Sequence, residues 1–451
     1  MPFLNRMEKG DVNMLATINE WLWGPISCGL FLAIGVILTV KTRFFQFLHI
    51  RQWLLGSIRS LFQKKNNDKQ NGFTAIQSLS TALAATLGTG NIVGVATAIV
   101  SGGPGAVFWM WMAAVFGMMT KYAEVLLSMH YRKRGVHGSG PMYVLEQGLN
   151  SKPLAVCYAF FCFIASFGIG NMSQGNSMAL AFHSSFHIPP MVTGVMVMGL
   201  AGIVLIGGMK RLGAVTEKLI PLMAGFYLFF SILVLILHHE KIPSAFSTIF
   251  EEAFRFRSVG GGALGYTAIR AMRYGVARGI FTNEAGLGTS SMAHSACEQG
   301  NAAKQGMMGI FEVFIDTIVV CTITAMVILT SGVLGNGESG AALTISAFSM
   351  GLGGFAEWFI CISIGLFAFA SILSWCFYGE RCAQYLWGRR AIVVYRWVYI
   401  LMIGIGCTMS LDAVWQLCDI FNALMAIPNL TGVFVLRKQV WYITKEYLHG
   451  S

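Results

Sequence analysis

Apolar runs of about 20 residues, enough helix to cross roughly 30 Å of hydrocarbon, recur along almost the whole of this chain. Inside hydrocarbon every backbone N–H and C=O must be satisfied by the chain itself, which leaves packed helices as the structure such runs can adopt. They fall at roughly 18–40, 73–100, 104–129, 154–182, 190–208, 213–238, 262–296, 304–330, 355–378, 391–410 and 413–436. Only 11% of the 451 residues are charged, against about a quarter in soluble domains, and no soluble domain is left over. The predicted fold class is an all-α polytopic membrane protein of about 11 transmembrane helices.

The amino-terminal stretch "MPFLNRMEKGDVNMLATINEW" lacks the apolar core of a cleavable signal, so the first span is expected to serve as the signal itself. Ten cysteines lie scattered in apolar runs without a C-x-x-C pair and read as small buried hydrophobes. The net charge of +11 is distributed by side. Lys41, Arg43, Arg51, Arg59, Lys64, Lys65 and Lys69 follow the first span, and Arg132, Lys133 and Arg134 the third. Lys210, Arg211 and Lys218, then Arg381, Arg389 and Arg390, then Arg437, Lys438 and Lys445 follow on the same side. The opposite loops hold Arg6, Lys9, Lys241, Arg255 and Arg257. This bias places the amino terminus outside and the carboxyl terminus in the cytoplasm. It explains the basic excess without a nucleic-acid partner.

Two spans are interrupted. The second carries "AATLGTGN" (84–91) at its middle, and the seventh carries "AIRAMRYGVARGIFTNEAGLGTSSMAHSA". Spans 2 to 6 and 7 to 11 thus form two sets of five, each beginning with a broken helix. An odd number makes the second set enter from the opposite side, the arrangement of an inverted repeat. The expected divisions are 1–72, a first helix and an interfacial amphipathic helix; 73–238, the first repeat; 239–257, an external amphipathic connector; 258–436, the second repeat; and 437–451, a cytoplasmic tail. "TRFFQFLHIRQWLLGSIRSLFQKK" interleaves rings with basic residues, as a helix lying on the inner surface does, and "NNDKQNG" (66–72) reads as a hinge. "SGVLGNGESGAA" reads as an external loop.

An unwound helix in lipid costs several kcal/mol per unpaired backbone group unless protein, water or ligand takes over its bonds. The freed amides suit a carboxylate and the freed carbonyls a small cation. "AATLGTGN" therefore reads as a receptor for a zwitterion and its coupling ion. The blander alternative is a packing motif, since "GTGNIVG" has small residues at helix-contact spacing.

"GGPGAVFWMWMAAVFGMMTKYAE" (102–124) resembles the signature of the alanine or glycine:cation symporters, also called sodium:alanine symporters. "ALAATLGTGNIVGVATAI", "GSGPMYVLEQGL", "GIGNMSQGNS", "RYGVARGIFTNEAGLGTSSMAHSA", "DTIVVCTITAMVIL", "FAFASILSWCFYGERC" and "NALMAIPNL" resemble the same family in family order. The resemblance implies a leucine-transporter-type core in the last ten helices and sodium-driven, in some members proton-driven, uptake of alanine or glycine. It implies that Thr89 and Gly90 hold the substrate carboxylate while Thr86 and Gly88 shape the bend. Gln174 would be a polar contact flanked by Asn171 and Asn176. Phe281, Thr282 and Asn283 would form the second break and take the ammonium. Ser371 and Trp375 would face the same site, Trp375 limiting its volume. A sodium site would use carbonyls near Ala84, Leu87 and Ala368, hydroxyls of Ser371 and Ser374, and Asn91. Ser374 stands where the family usually has glycine, and its hydroxyl either alters ion binding or, the favoured reading, bonds back to its own helix.

Ionisable groups at membrane depth are functional suspects. Lys121 and Glu124 are expected to pair with each other, Arg270, Arg273 and Arg278 to face water or acidic partners, and Glu284 to be their partner or a gate. Asp316 and Asp419 are weaker candidates, and His294 with Glu298 reads as a structural pair. Glu284, Arg278 and Asp316 are thus the expected gating or coupling residues. The function expected is symport of a small neutral amino acid with sodium across a bacterial inner (plasma) membrane by a lipid-embedded monomer. The alternatives are proton-coupled symport and, more remotely, a channel. No metal-hydrolase helix or nucleophile elbow points to an enzyme.

Overall fold

Thr74 sets the start of the interrupted second span through a reciprocal cap: its hydroxyl accepts from Gln77 N at 3.2 Å, and the Gln77 side chain accepts from Thr74 N at 3.3 Å. In the computed structural model the described residues are 17–19, 21–62, 72–132, 138–255, 266–297, 301–409 and 412–450. The expectations for residues 1–16, for 66–71 of the hinge, and for Lys64, Lys65, Lys133, Arg134, Arg257 and Glu298 lie outside them.

The chain runs through α1 (Pro25–Lys41), α2 (Ile50–Phe62), α3 (Ala75–Thr86), α4 (Val93–Gly102), α5 (Ala106–His130), α6 (Lys152–Phe186), α7 (Pro190–Ile206) and α8 (Gly208–Leu237). It continues through α9 (Ile242–Ala253), α10 (Tyr266–Asn283), α11 (Thr289–Ser295), α12 (Ala302–Ser331) and α13 (Gly340–Leu352). The last elements are α14 (Phe355–Trp387), α15 (Ala391–Thr408), α16 (Asp412–Val435) and α17 (Arg437–Gly450). The fold is all-helical; among the described residues the one bridge outside helices pairs Phe73 with Cys297. Five unbroken helices among them, α6, α8, α12, α14 and α15, are long and apolar enough to cross a membrane individually. The other expected spans are shorter, as α1 and α7 are, or broken, or interrupted by charge, as α5 is by Lys121 and Glu124. Helices form in the two stretches expected to be amphipathic, at α2 and α9. The region after "SGVLGNG" is not all loop, because α13 follows it.

Helix α5 lies between α10 and α12. Small residues let the backbones close: a Cβ on Gly279 would sit 3.1 Å from Ala113 Cβ, and one on Gly309 3.0 Å from Lys121 Cγ. The outward faces of α7 and α8 carry Val195, Leu200, Ile203, Phe229 and Ile236, all exposed, an apolar surface of the kind lipid covers. Three π turns occur among the described residues: Val144–Gly148 after the short helix Pro141–Tyr143, Gly168–Met172 within α6 and Phe314–Cys321 within α12. Such widened turns shift the register of a helix and often accompany functional sites. The nine cysteines with described side chains are unbridged, and eight are buried.

Candidate binding site at two helix breaks

The first break spans Leu87 to Ile92, with Thr89–Asn91 forming one tight turn. Its backbone is satisfied from several directions, as burial requires. Gly88 N donates to Asn91 Oδ1 at 2.9 Å. Thr89 donates to Gln174 Oε1 through its amide at 3.3 Å and its hydroxyl at 3.0 Å. Ser371 Oγ donates to Ala84 O at 3.2 Å and Ala85 O at 3.4 Å, and Thr344 Oγ1 donates to Ile92 O at 3.2 Å. Thr86 Oγ1 bonds back to Ala82 O and Leu83 O. Asn91, expected to offer its oxygen to a cation, turns that oxygen to Gly88 N and its amide to Asp316 Oδ1 at 2.7 Å.

The second break lies later than expected. Phe281, Thr282 and Asn283 close α10, and the chain unwinds over Glu284 to Gly288. The reason is backbone handedness: φ is 54° at Glu284, 100° at Gly286 and 77° at Gly288, and two glycines make left-handed turns cheap. Glu284 lacks that freedom and is held by its carboxylate, which accepts from Thr289 Oγ1 and, at 3.5 Å, from Ser290 Oγ. Gly286 N donates to Glu124 Oε1 at 2.9 Å, Asn429 Nδ2 donates to the same oxygen at 2.6 Å, and Tyr158 OH donates to Leu287 O at 3.0 Å.

The breaks touch. A Cβ on Gly90 would sit 2.9 Å from Thr282 Cγ2 and 3.4 Å from the Phe281 ring; one on Gly88 would sit 2.6 Å from Ser371 Oγ. Asp316 bridges them from the π turn of α12: it accepts from Asn91 Nδ2 and, at 2.7 Å, from Thr317 Oγ1, which in turn accepts from Asn283 Nδ2 at 3.2 Å. Gly88, Thr89, Gly90, Asn91, Gln174, Phe281, Thr282, Asn283, Ser371 and Asp316 are therefore brought together.

Trp375 faces a neighbouring surface. It packs over Gly170, where any Cβ would overlap it, is 1% exposed, and meets Tyr378 edge-on at 5.7 Å. It thus covers the π turn that precedes Gln174. Leu87, Ala84 and Ala368 are fully buried. Among the described residues Ser374 Oγ is buried with no hydrogen-bond partner, so the expected bond to its own helix is not made. Asn171 and Asn176 turn from the breaks to α15, donating to Tyr399 O at 2.7 Å and Met409 O at 2.9 Å.

The charges also pair differently from expectation. Lys121 pairs not with Glu124 but with Glu312, at 3.4 Å, both side chains fully buried. Ser290 Oγ joins them, 2.8 Å from Lys121 Nζ and 2.7 Å from Glu312 Oε1, and His294 Nε2 lies 3.1 Å from Glu312 Oε2. Although Lys121 and Glu124 share a helix, they meet different neighbours: α11 and α12 offer Ser290 and Glu312 to the lysine, while the second break and α16 offer Gly286 and Asn429 to the glutamate. The Glu284 carboxylate is engaged by Thr289 and Ser290 of α11. Arg278 lies over the Phe281 ring at 5.5 Å and Arg273 over Tyr274 at 5.5 Å. Glu312, Asn429, Tyr158 and Thr344 were not foreseen; of these, Glu312 was discoverable as a carboxylate one turn before Asp316 in an apolar run.

The sodium:alanine symporter family profile matches residues 8–451. The sodium/alanine symporter AgcS of Methanococcus maripaludis is 42% identical over 452 residues, covering 97% of both chains. A transporter of Haemophilus influenzae is 41% identical over 441 residues, covering 96% of both. Among solved structures, MhsT in complex with L-phenylalanine superposes with a TM-score of 0.58 at 14% identity, over 83% of this chain and 99% of that one. That likeness concerns the fold. From the breaks, the apolar surface and these matches together, the chain belongs to the sodium:alanine symporter family and is a membrane transporter, not an enzyme.

Proposed function

We propose that the protein carries one small neutral amino acid, alanine or glycine, into the cell together with sodium, by alternating access. The observation that supports this most is the first unwound segment meeting the helix end that leads into the second, with Gly90 against Phe281 and Thr282, because facing half-helix ends offer amides to a carboxylate and carbonyls to cations. In this reading Thr89 and Gly90 hold the carboxylate, with Thr86 and Gly88 shaping the bend and Gln174 fixing Thr89. Carbonyls near Phe281, Thr282 and Asn283 take the ammonium. Ser371 and the carbonyls of Ala84, Leu87 and Ala368 take sodium with Ser374, whose buried hydroxyl lacks a partner and whose oxygen suits a hard cation. Asn91 turns its oxygen to the same ion when it releases Gly88. Glu284, Arg278 and Asp316 couple or gate.

The architecture that goes with this reading has eleven spans, the last ten in two inverted sets of five, 73–238 and 258–436, joined by the external connector 239–257. Before them stands 1–72 and after them the cytoplasmic tail 437–451. The protein is a monomer in the inner membrane of a bacterial cell, with its amino terminus outside.

Uptake of radiolabelled alanine into liposomes, with sodium and proton gradients imposed separately, tests the coupling. Sodium dependence with little effect of a pH gradient is expected. A specific observation favours a second reading, proton coupling: the buried Asp316 carboxylate is held by the neutral Asn91 amide and Thr317 hydroxyl. Uptake driven by a pH gradient and indifferent to sodium would establish it. Removing the Trp375 ring opens space beside Gln174, so Trp375→Ala is expected to let leucine compete with alanine; selectivity identical to the parent would take Trp375 out of the site.

A further inference from the structure

A polar cavity lies against the break region, sharing Phe281 with it. It has a volume of about 200 Å3 and is lined by Trp23, Arg273, Arg278, Phe281, Gln416 and Asp419, among others. Trp23 precedes α1, Gln416 and Asp419 lie in the first turns of α16, and the stripe from Arg273 through Ala277 to Phe281 runs down one face of α10. The stripe ends on the ring that abuts Gly90, so this cavity and the break site meet at Phe281.

Its charges are arranged for a guest. Arg278 and Asp419 line the same cavity, yet among the described residues they form no ion pair. Asp419 receives one long hydrogen bond, from Asn19 Nδ2 at 3.4 Å, and its backbone carbonyl receives Trp23 Nε1 at 2.9 Å. Among the described residues Gln416 Oε1 is buried with no partner, a cost of about 1–3 kcal/mol unless something occupies the cavity. A guanidinium binds a carboxylate through paired N–H donors. A carboxylate and an amide oxygen together suit an ammonium. Only a molecule with both groups a few Å apart answers all three at once.

We propose that this cavity is a second binding site for the zwitterionic amino acid, its carboxylate on Arg278 and its ammonium on Asp419 and Gln416, from which it passes to the breaks when Phe281 moves aside. The proposal rests on the reading of the breaks as the transport site. Because Arg278 lies over the Phe281 ring, a carboxylate that draws the guanidinium away also releases the ring.

Equilibrium binding of radiolabelled alanine to the full-length protein in nanodiscs, with sodium present, tests this alongside uptake. A tighter and a weaker class of site are expected in the parent. Asp419→Asn and Arg278→Gln should each abolish the weaker class, keep the tighter one, and raise the KM of uptake about tenfold, the scale of one lost charge-assisted hydrogen bond. Arg278→Lys should retain the weaker class. As these substitutions can disturb folding, the parent is also titrated with alaninamide, which lacks the carboxylate and should fail to displace the weaker class. A single class in a parent that transports alanine, displacement by alaninamide as effective as by alanine, or variants with both classes intact would overturn the vestibule site and leave the transport reading standing. A parent that neither binds nor carries alanine would overturn the transport reading itself.

Discussion

Gly88→Val is expected to reduce alanine uptake by about a hundredfold, about 2.7 kcal/mol in the transport barrier, while the protein still reaches the membrane. At this position even a Cβ would stand 2.6 Å from Ser371 Oγ, and Ser371 is anchored on the Ala84 and Ala85 carbonyls at 3.2 and 3.4 Å. Valine must push Ser371 off those carbonyls or displace the turn that holds Thr89 on Gln174. Overpacking of this kind typically costs about 1–3 kcal/mol. The backbone contributes no further penalty, since φ at Gly88 is −123° and ψ is −163°, an extended conformation open to any residue. The clash with Ser371 can be isolated by a double-mutant cycle. In a Ser371→Gly background, Gly88→Ala should cost much less than it does alone; equal costs in both backgrounds would show that the contact does not matter.

The second large effect concerns stability. Lys121→Met removes the one lysine from the cluster of Glu312, His294 and Ser290 and leaves Glu312 buried without its strongest partner. Breaking a buried pair from one side costs about 3–5 kcal/mol, more than deleting the pair. The expected result is a sharp fall in thermal midpoint and yield of detergent-solubilised protein. Lys121→Met combined with Glu312→Gln should recover part of the loss, because no uncompensated carboxylate remains. A midpoint for Lys121→Met no lower than that of Lys152→Met, a substitution at an exposed position, would refute the account.

Much of this was legible because hydrocarbon imposes one rule everywhere. Apolar length located the helices, and "AATLGTGN" located the first break, since glycine and polar residues at membrane depth weaken a helix that lipid cannot repair. The second break was misplaced by three residues. The sequence marks unwinding by composition, whereas its position depends on Glu284 taking a left-handed conformation under the hold of Thr289 and Ser290. The π turns were not visible, because an extra residue in a helical turn leaves no periodic trace over five or eight residues. They nevertheless decide that Trp375 sits on Gly170 and that Asp316 reaches Asn91. The Lys121–Glu124 pairing failed for a related reason: spacing on one helix says which side chains can meet, and tertiary neighbours decide which do. The partnerless hydroxyl of Ser374 likewise follows from its surroundings in α14, which the residue type alone does not specify.

The polar atoms of the first break draw their partners from α6, α12, α13 and α14 at once. Rocking any of these helices against the rest breaks some of those bonds, and in a dry interior nothing replaces them without cost. If the break site carries the amino acid with its ion, as proposed, the unloaded carrier is thereby penalised for changing sides, and the same carbonyls and amides restrain slippage of either without its co-traveller.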